Sequence, residues 1–211
     1  MFTKTLSGDA PKSLAVLGKG VLPKGTYMAG GSALALHFGH RFADEFDFFT
    51  PFSFSSSNLK QQLEKLGNFK TETVLSDTLL GKFNGVRFSM FYYKYPLLFP
   101  TVKFLGIELA DPKEIGAMKI AAIMDRGSKK DFFDLYFLSK NSILLEECFE
   151  NYDKKYKALD SNLYSILKSL SYFVDAESSA APVMIEKVSW PEVKKFFENE
   201  AVRLGKKYLT K

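Results

Sequence analysis

Two short stretches of the chain hold residue types that can do chemistry together. They are Ala29-Gly30-Gly31-Ser32 and, a dozen residues further on, Glu45-Phe46-Asp47-Phe48. In the first, two glycines end an apolar segment, so backbone N–H groups can approach a ligand with no Cβ in the way. A helix follows at once and offers its unpaired N–H groups and positive dipole end to a phosphate. In the second, acidic and apolar residues alternate. Alternate residues of a strand share a face, so Glu45 and Asp47 point one way while Phe46 and Phe48 point into a core. Asp44, next to the pair, should face the opposite side. Two carboxylates beside a phosphate cradle form the ligand set of a Mg²⁺ ion that bridges nucleotide oxygens.

The elements that must position these residues are legible around them. Residues 10–19 suit a short helix opening after Pro11, Thr26–Ala29 a strand, and Ser32–His37 a helix with Ser32 as N-cap. Phe46–Thr50 is a strand stopped by Pro51. Ser55-Ser56-Ser57-Asn58 caps a helix whose Leu59, Leu63 and Leu66 share a face, with Gly67 as its stop. Phe69–Val74 alternates, and Thr78–Phe83 and Val86–Tyr93 flank Asn84-Gly85, a strong hairpin signal. Val102–Leu109 completes the β-rich part. From Pro112, placed in a first turn after Asp111, the pattern is helical. It runs up to Gly127, then over Lys129–Leu138, 143–157 and 162–173, and lastly from a capping box at Ser189-Trp190-Pro191-Glu192. The expected organisation is a mixed α/β core over 1–110 and a helical lobe over 111–211, an α+β arrangement of a small mixed sheet with flanking helices.

Composition narrows the class. The 211 residues are 46% hydrophobic and 25% charged, with 21 Phe and 10 Tyr, which describes a globular chain with an aromatic core. No apolar run reaches the roughly 18–20 residues of a membrane helix. The first residues lack the apolar stretch of a secretory signal, so a cytoplasmic protein is expected. One cysteine, Cys148, and two histidines, His37 and His40, exclude an internal disulfide and His- or Cys-rich metal chemistry. The formal net charge of +5 favours an anionic partner modestly. His37 reads as a satisfied, partly buried histidine, Cys148 as a small core residue and Trp190 as a packing anchor. His40 and Arg41 follow the first helix and could touch a phosphate or order the loop, but read first as helix-end residues. The cluster Tyr92-Tyr93-Lys94-Tyr95 could stack bases beside a cation, but reads more simply as alternate strand residues sent to the core. Lys119, Ala122 and Arg126 share a helix face, and Lys130 is spaced to pair with Asp134.

The run from Ala29 to Arg41 closing on Glu45-Phe46-Asp47-Phe48-Phe49 resembles the signature of the AbiEii/AbiGii-toxin-type nucleotidyltransferases, in the DNA polymerase β-like superfamily. The likeness continues in Val86–Tyr93, in Ile115-Gly116-Ala117-Met118-Lys119 with Arg126-Gly127, and in Lys129-Lys130-Asp131-Phe132-Phe133-Asp134-Leu135-Tyr136. It covers roughly residues 22–205. The resemblance implies a nucleotidyltransferase fold and transfer of an NMP from an NTP to an RNA acceptor, tRNA included, or to a protein. It also implies a toxin of the abortive-infection or toxin–antitoxin kind, with a cognate antitoxin. Gly30, Gly31 and Ser32 would hold the triphosphate, and Glu45 and Asp47 a Mg²⁺ ion. Lys119 would cross the cleft to the phosphates, joined by Lys130, with Asp131 in the same site. Two departures stand out. The usual Asp-x-Asp is Glu45-x-Asp47 here, and no carboxylate stands near Ser89, where the superfamily places a third one. Either Glu108, Asp111 or Asp131 replaces it, or the chain binds nucleotide as a regulatory module without efficient transfer.

Overall fold

The computed structural model describes residues 1–43 and 45–209; the expectation for Asp44 lies outside them. Among these residues the strands are β1 (Tyr27–Ala29), β2 (Glu45–Thr50), β3 (Phe69–Leu75), β4 (Thr78–Phe83), β5 (Val86–Tyr92), β6 (Val102–Phe104) and β7 (Ile107–Leu109). They form one mixed sheet in the order β3-β4-β5-β2-β1-β7-β6. β2 lies antiparallel to β1 and parallel to β5, so the acidic strand sits in the middle of the sheet with a neighbour on each side. The mixed sheet with flanking helices is the α+β class that the sequence pattern implies.

The helices are α1 (Ala10–Leu17), α2 (Gly30–Phe38), α3 (Ser56–Leu66), α4 (Pro112–Asp125), α5 (Lys129–Asn141), α6 (Leu145–Tyr156), α7 (Leu159–Leu170), α8 (Val174–Ser178) and α9 (Trp190–Leu209). Three of the expected caps form, the one at Ser189 without the return bond of a full capping box. Ser55 accepts from the Asn58 N–H, and Asp111 accepts from the Lys113 N–H at 2.8 Å. Ser189 accepts from the Glu192 N–H, while the Glu192 carboxylate turns away to take the Tyr136 hydroxyl at 2.8 Å. Leu59 and Leu63 of α3 are buried against β3 and β4, which closes one face of that half of the sheet. α4 packs on α5, α6 and α7 across the other side, and α2 packs on both α4 and α5. Trp190 sits among Phe132, Phe133 and Phe173 with ring centroids within 5.8 Å, a packing anchor as read.

One local reading is corrected and another refined. α2 starts at Gly30 with Ala29 as N-cap, so Ser32 is a buried first-turn residue and not the cap. The helix can begin two residues early because Gly30 takes a φ of +69° at the strand-to-helix turn. The β-rich stretch 102–109 is a further hairpin, β6 and β7 folded back at Leu105-Gly106, where both residues have positive φ.

Candidate active site

β2 shows strict alternation: Phe46, Phe48 and Thr50 are buried, and Glu45, Asp47 and Phe49 face a cleft of about 1290 Å³ between the sheet and α4. Gly30, Gly31 and Ser32 line the same cleft, so the carboxylate pair and the N-terminus of α2 do converge. The glycines have a second task. A Cβ on Gly30 would lie 2.9 Å from Asp47 Oδ2, and one on Gly31 would lie 1.8 Å from an Arg41 guanidinium nitrogen and 2.7 Å from Asp134 Oδ2. The room that the glycines leave is thus filled by the site's own side chains as well as open to a ligand.

Register places Ser89 of β5 directly opposite Asp47, and its hydroxyl donates to Asp47 Oδ1 at 2.5 Å. Burial raises the Asp47 carboxyl above its ordinary range, and Glu45 adds to this, against the opposing pull of Ser89, Lys119 and Arg126. Glu45 is held loosely, its Oε1 lying 3.4 Å from Arg87 and 3.3 Å from Lys130. Among the described residues no group of three or more His, Cys, Asp or Glu is placed to hold a metal ion by itself. The donor set is thus two carboxylates on one face, which fits a hard cation that takes its remaining ligands from phosphate and water.

Behind this pair lies a buried ionic network. Arg41 donates to both oxygens of Asp134, at 2.6 and 3.0 Å, and His40 Nε2 lies 2.9 Å from Oδ1. Lys119 reaches Asp134 at 2.6 Å and Asp131 at 2.8 Å. Asp131 also accepts two bonds from Arg126 and one from Ser128. Burial alone would raise both aspartates. Lys119 and Arg126 hold Asp131 well below the usual carboxylate range, and Arg41 and Lys119 do the same for Asp134. With Lys119 committed to two carboxylates, one of its three N–H donors is left for a ligand. The four acceptor positions of Asp131 are all taken, so it orients two cations and offers no free oxygen.

Several assignments change. His40 and Arg41 are not helix-end residues: Gly39 ends α2, and both side chains enter the network. Lys130 pairs with Glu45 rather than Asp134, because Asp134 faces the interior with Arg41 and Lys119. Of the three substitutes for the absent carboxylate, Glu108 takes the Thr101 hydroxyl, Asp111 caps α4, and Asp131 is saturated. Two acids that sequence reasoning missed, Glu72 and Asp125, also line the cleft. Tyr92, Tyr93 and Tyr95 belong to its wall and not to the core, joined by Tyr152, Tyr156 and Asn162. Tyr93 and Tyr156 share a 2.5 Å hydroxyl contact. The cleft thus has a charged end and an aromatic end. His37, bonded to the Ala110 carbonyl at 2.9 Å, and the buried Cys148 are as expected.

Comparison with known proteins gives three findings. The sequence model of the family described as "Nucleotidyl transferase AbiEii toxin, Type IV TA system" matches residues 93–207. An uncharacterised protein of Aquifex aeolicus strain VF5 is 42% identical over 181 residues, covering 82% of this chain and 85% of that one. Two solved structures have the same fold. One is MenT4, a nucleotidyltransferase toxin of Mycobacterium tuberculosis, with a TM-score of 0.53 at 15% identity over 92% of this chain and 84% of that one. The other, from H. pylori and provisionally described as a nucleotidyltransferase, has a TM-score of 0.51 at 16% identity over 92% and 93%.

Proposed function

The chain belongs to the AbiEii family of nucleotidyl transferase toxins of type IV toxin–antitoxin systems, and from that premise we propose a Mg²⁺-dependent enzyme that moves an NMP from an NTP to an RNA or protein acceptor. One observation carries the reading: Glu45 and Asp47 project from the cleft face of β2 toward the N-terminus of α2. In this reading the N–H groups of Gly31 and Ser32 bind phosphate oxygens. Glu45 and Asp47 would hold the metal, which would supply charge neutralisation at the phosphates when bound. The remaining Lys119 donor, Arg126 and Lys130 face the same phosphates and stabilise charge on the transferring group. Asp131 and Asp134 position Lys119, Asp131 also positions Arg126, Glu45 pairs with Lys130, and Ser89 fixes the rotamer of Asp47. The aromatic end accepts the nucleobase by stacking. A cognate antitoxin would oppose its effect.

A second reading, nucleotide binding without efficient transfer, is favoured by Ser89 standing where the superfamily's third carboxylate would be. The test separates the two. Protein incubated with each labelled NTP, Mg²⁺ and total tRNA should incorporate label, and Asp47→Ala should abolish incorporation. NTP-dependent thermal stabilisation with no label in RNA or protein would reject transfer and leave the binding module. Flat melting curves with every NTP would reject both.

A further inference from the structure

The cleft face of the sheet carries an aligned row of cations. Across the strands, Glu45 of β2 pairs with Arg87 of β5, Arg87 with Lys82 of β4, and Lys82 with Lys70 of β3. Paired residues project to the same side of a sheet, so all four share the face of Glu45 and Asp47. Neighbouring strands lie about 4.8 Å apart, and the row therefore runs about 14 Å outward from the carboxylate pair. Lys70, Lys82 and Arg87 are exposed. Among the described residues Lys70 and Lys82 have no carboxylate partner, whereas Arg87 leans on Glu45 at 3.4 Å.

Like charges directly opposite each other destabilise a sheet, and here two such pairs stand side by side. A lysine on an edge strand can be explained as a guard against edge-to-edge pairing, which covers Lys70 on β3. It does not cover Lys82 and Arg87, whose strands are interior. Neither residue could turn to the other face, which α3 closes with Leu59 and Leu63. A repulsive row held in the interior of a sheet calls for an anion that lies along it, and the row ends at the carboxylates proposed to work on the acceptor.

We propose that Lys70, Lys82 and Arg87 form the track on which the sugar–phosphate backbone of a nucleic-acid acceptor reaches Glu45 and Asp47. The proposal rests on the nucleotidyltransferase reading and narrows its acceptor to RNA. The backbone contributes one negative charge per nucleotide, and each neutralised phosphate adds to the salt dependence of binding. Arg87 also serves Glu45, so the outer two lysines make the clean test.

Binding of labelled total tRNA by the full chain is measured between 50 and 200 mM salt, for the wild type, Lys70→Ala/Lys82→Ala, and the control Lys60→Ala/Lys65→Ala on α3. The row variant should show a plot of log K against log salt that is shallower by about 1.4, at about 0.7 per lost phosphate contact. The KM for tRNA should rise several-fold, while the NTP-induced melting shift stays that of the wild type. The control should match the wild type throughout. A row variant with the wild-type slope would overturn the track, as would a control that loses as much, or label that enters protein only. If NTP stabilises the wild type and the slope is unchanged, the track alone fails. If no NTP stabilises the wild type, the underlying reading fails with it.

Discussion

Gly31→Ala tests whether the second glycine exists for phosphate access or for the protein's own ionic network. The new Cβ would lie 1.8 Å from an Arg41 guanidinium nitrogen and 2.7 Å from Asp134 Oδ2, with both side chains buried. Arg41 cannot keep its two bonds to Asp134, at 2.6 and 3.0 Å, and also clear the methyl group. Breaking a buried ion pair costs about 3–5 kcal/mol. Replacing a helical glycine by alanine returns up to about 1 kcal/mol. The net loss is therefore about 2–4 kcal/mol, which at ~2 kcal/mol per molar lowers the urea midpoint by about 1–2 M. The cause is isolated by a double-mutant cycle. In an Arg41→Ala background, or Arg41→Lys should that chain fail to fold, the guanidinium clash is gone and only the close approach to Asp134 remains, so Gly31→Ala should cost clearly less than in the wild type. Urea unfolding followed by circular dichroism reads all four chains. A Gly31→Ala protein with the wild-type midpoint that merely loses NTP-induced stabilisation would refute the reasoning, as would strictly additive costs.

Three further outcomes follow from the same electrostatics. Burial raises the Asp47 carboxyl, so its ionised form is disfavoured in the folded state and weighs against stability above its folded pKa. Asp47→Asn should therefore melt higher than the wild type at pH 7 without metal while losing transfer, and an unchanged or lower melting temperature would contradict this. Asp131 and Asp134 are depressed instead, so their contribution is present above the unfolded value of about 3.9 and is lost as the pH falls toward their folded values. Unfolding free energy should drop below pH ~4 by about 1.4 kcal/mol per pH unit for each carboxylate. Denaturant titrations should show Asp131→Asn with a slope smaller by one proton, and equal slopes would count against the network. The buried Lys155–Glu114 pair also holds backbone, since Lys155 donates to the Pro96 carbonyl at 2.7 Å and Glu114 accepts the Leu98 N–H at 2.8 Å. Lys155→Met/Glu114→Leu should accordingly stay destabilised by about 2 kcal/mol, because two backbone groups lose their partners. A double variant as stable as the wild type in urea would show that those bonds are replaced.

Much of the local structure is written in the sequence, because its causes are local. Alternation in Glu45-Phe46-Asp47-Phe48 assigns faces within one strand, Asn84-Gly85 demands a hairpin, and Ser55, Asp111 and Ser189 satisfy orphan N–H groups a few residues ahead. The reading of Ser32 as N-cap failed for an equally local reason: Gly30 takes at little cost a positive φ that is disfavoured for other residues, and lets the helix start earlier. What spacing could not supply is the partner across the fold. Arg41 looked like the end of a helix because Asp134, 93 residues away, is what buries it. Tyr92, Tyr93 and Tyr95 looked like core because alternation tells one face from the other but not which face meets solvent.

The chain by itself thus determines the acidic pair, the glycine turn and the elements that hold them, since each depends on residues within a turn or two of helix or one hairpin. Tertiary structure alone decides that Ser89 touches Asp47, that Arg41 rests on Gly31, and that three cations line up beside Glu45. These are products of strand register and helix packing, which are set by how distant faces fit and not by the spacing of neighbours in the chain.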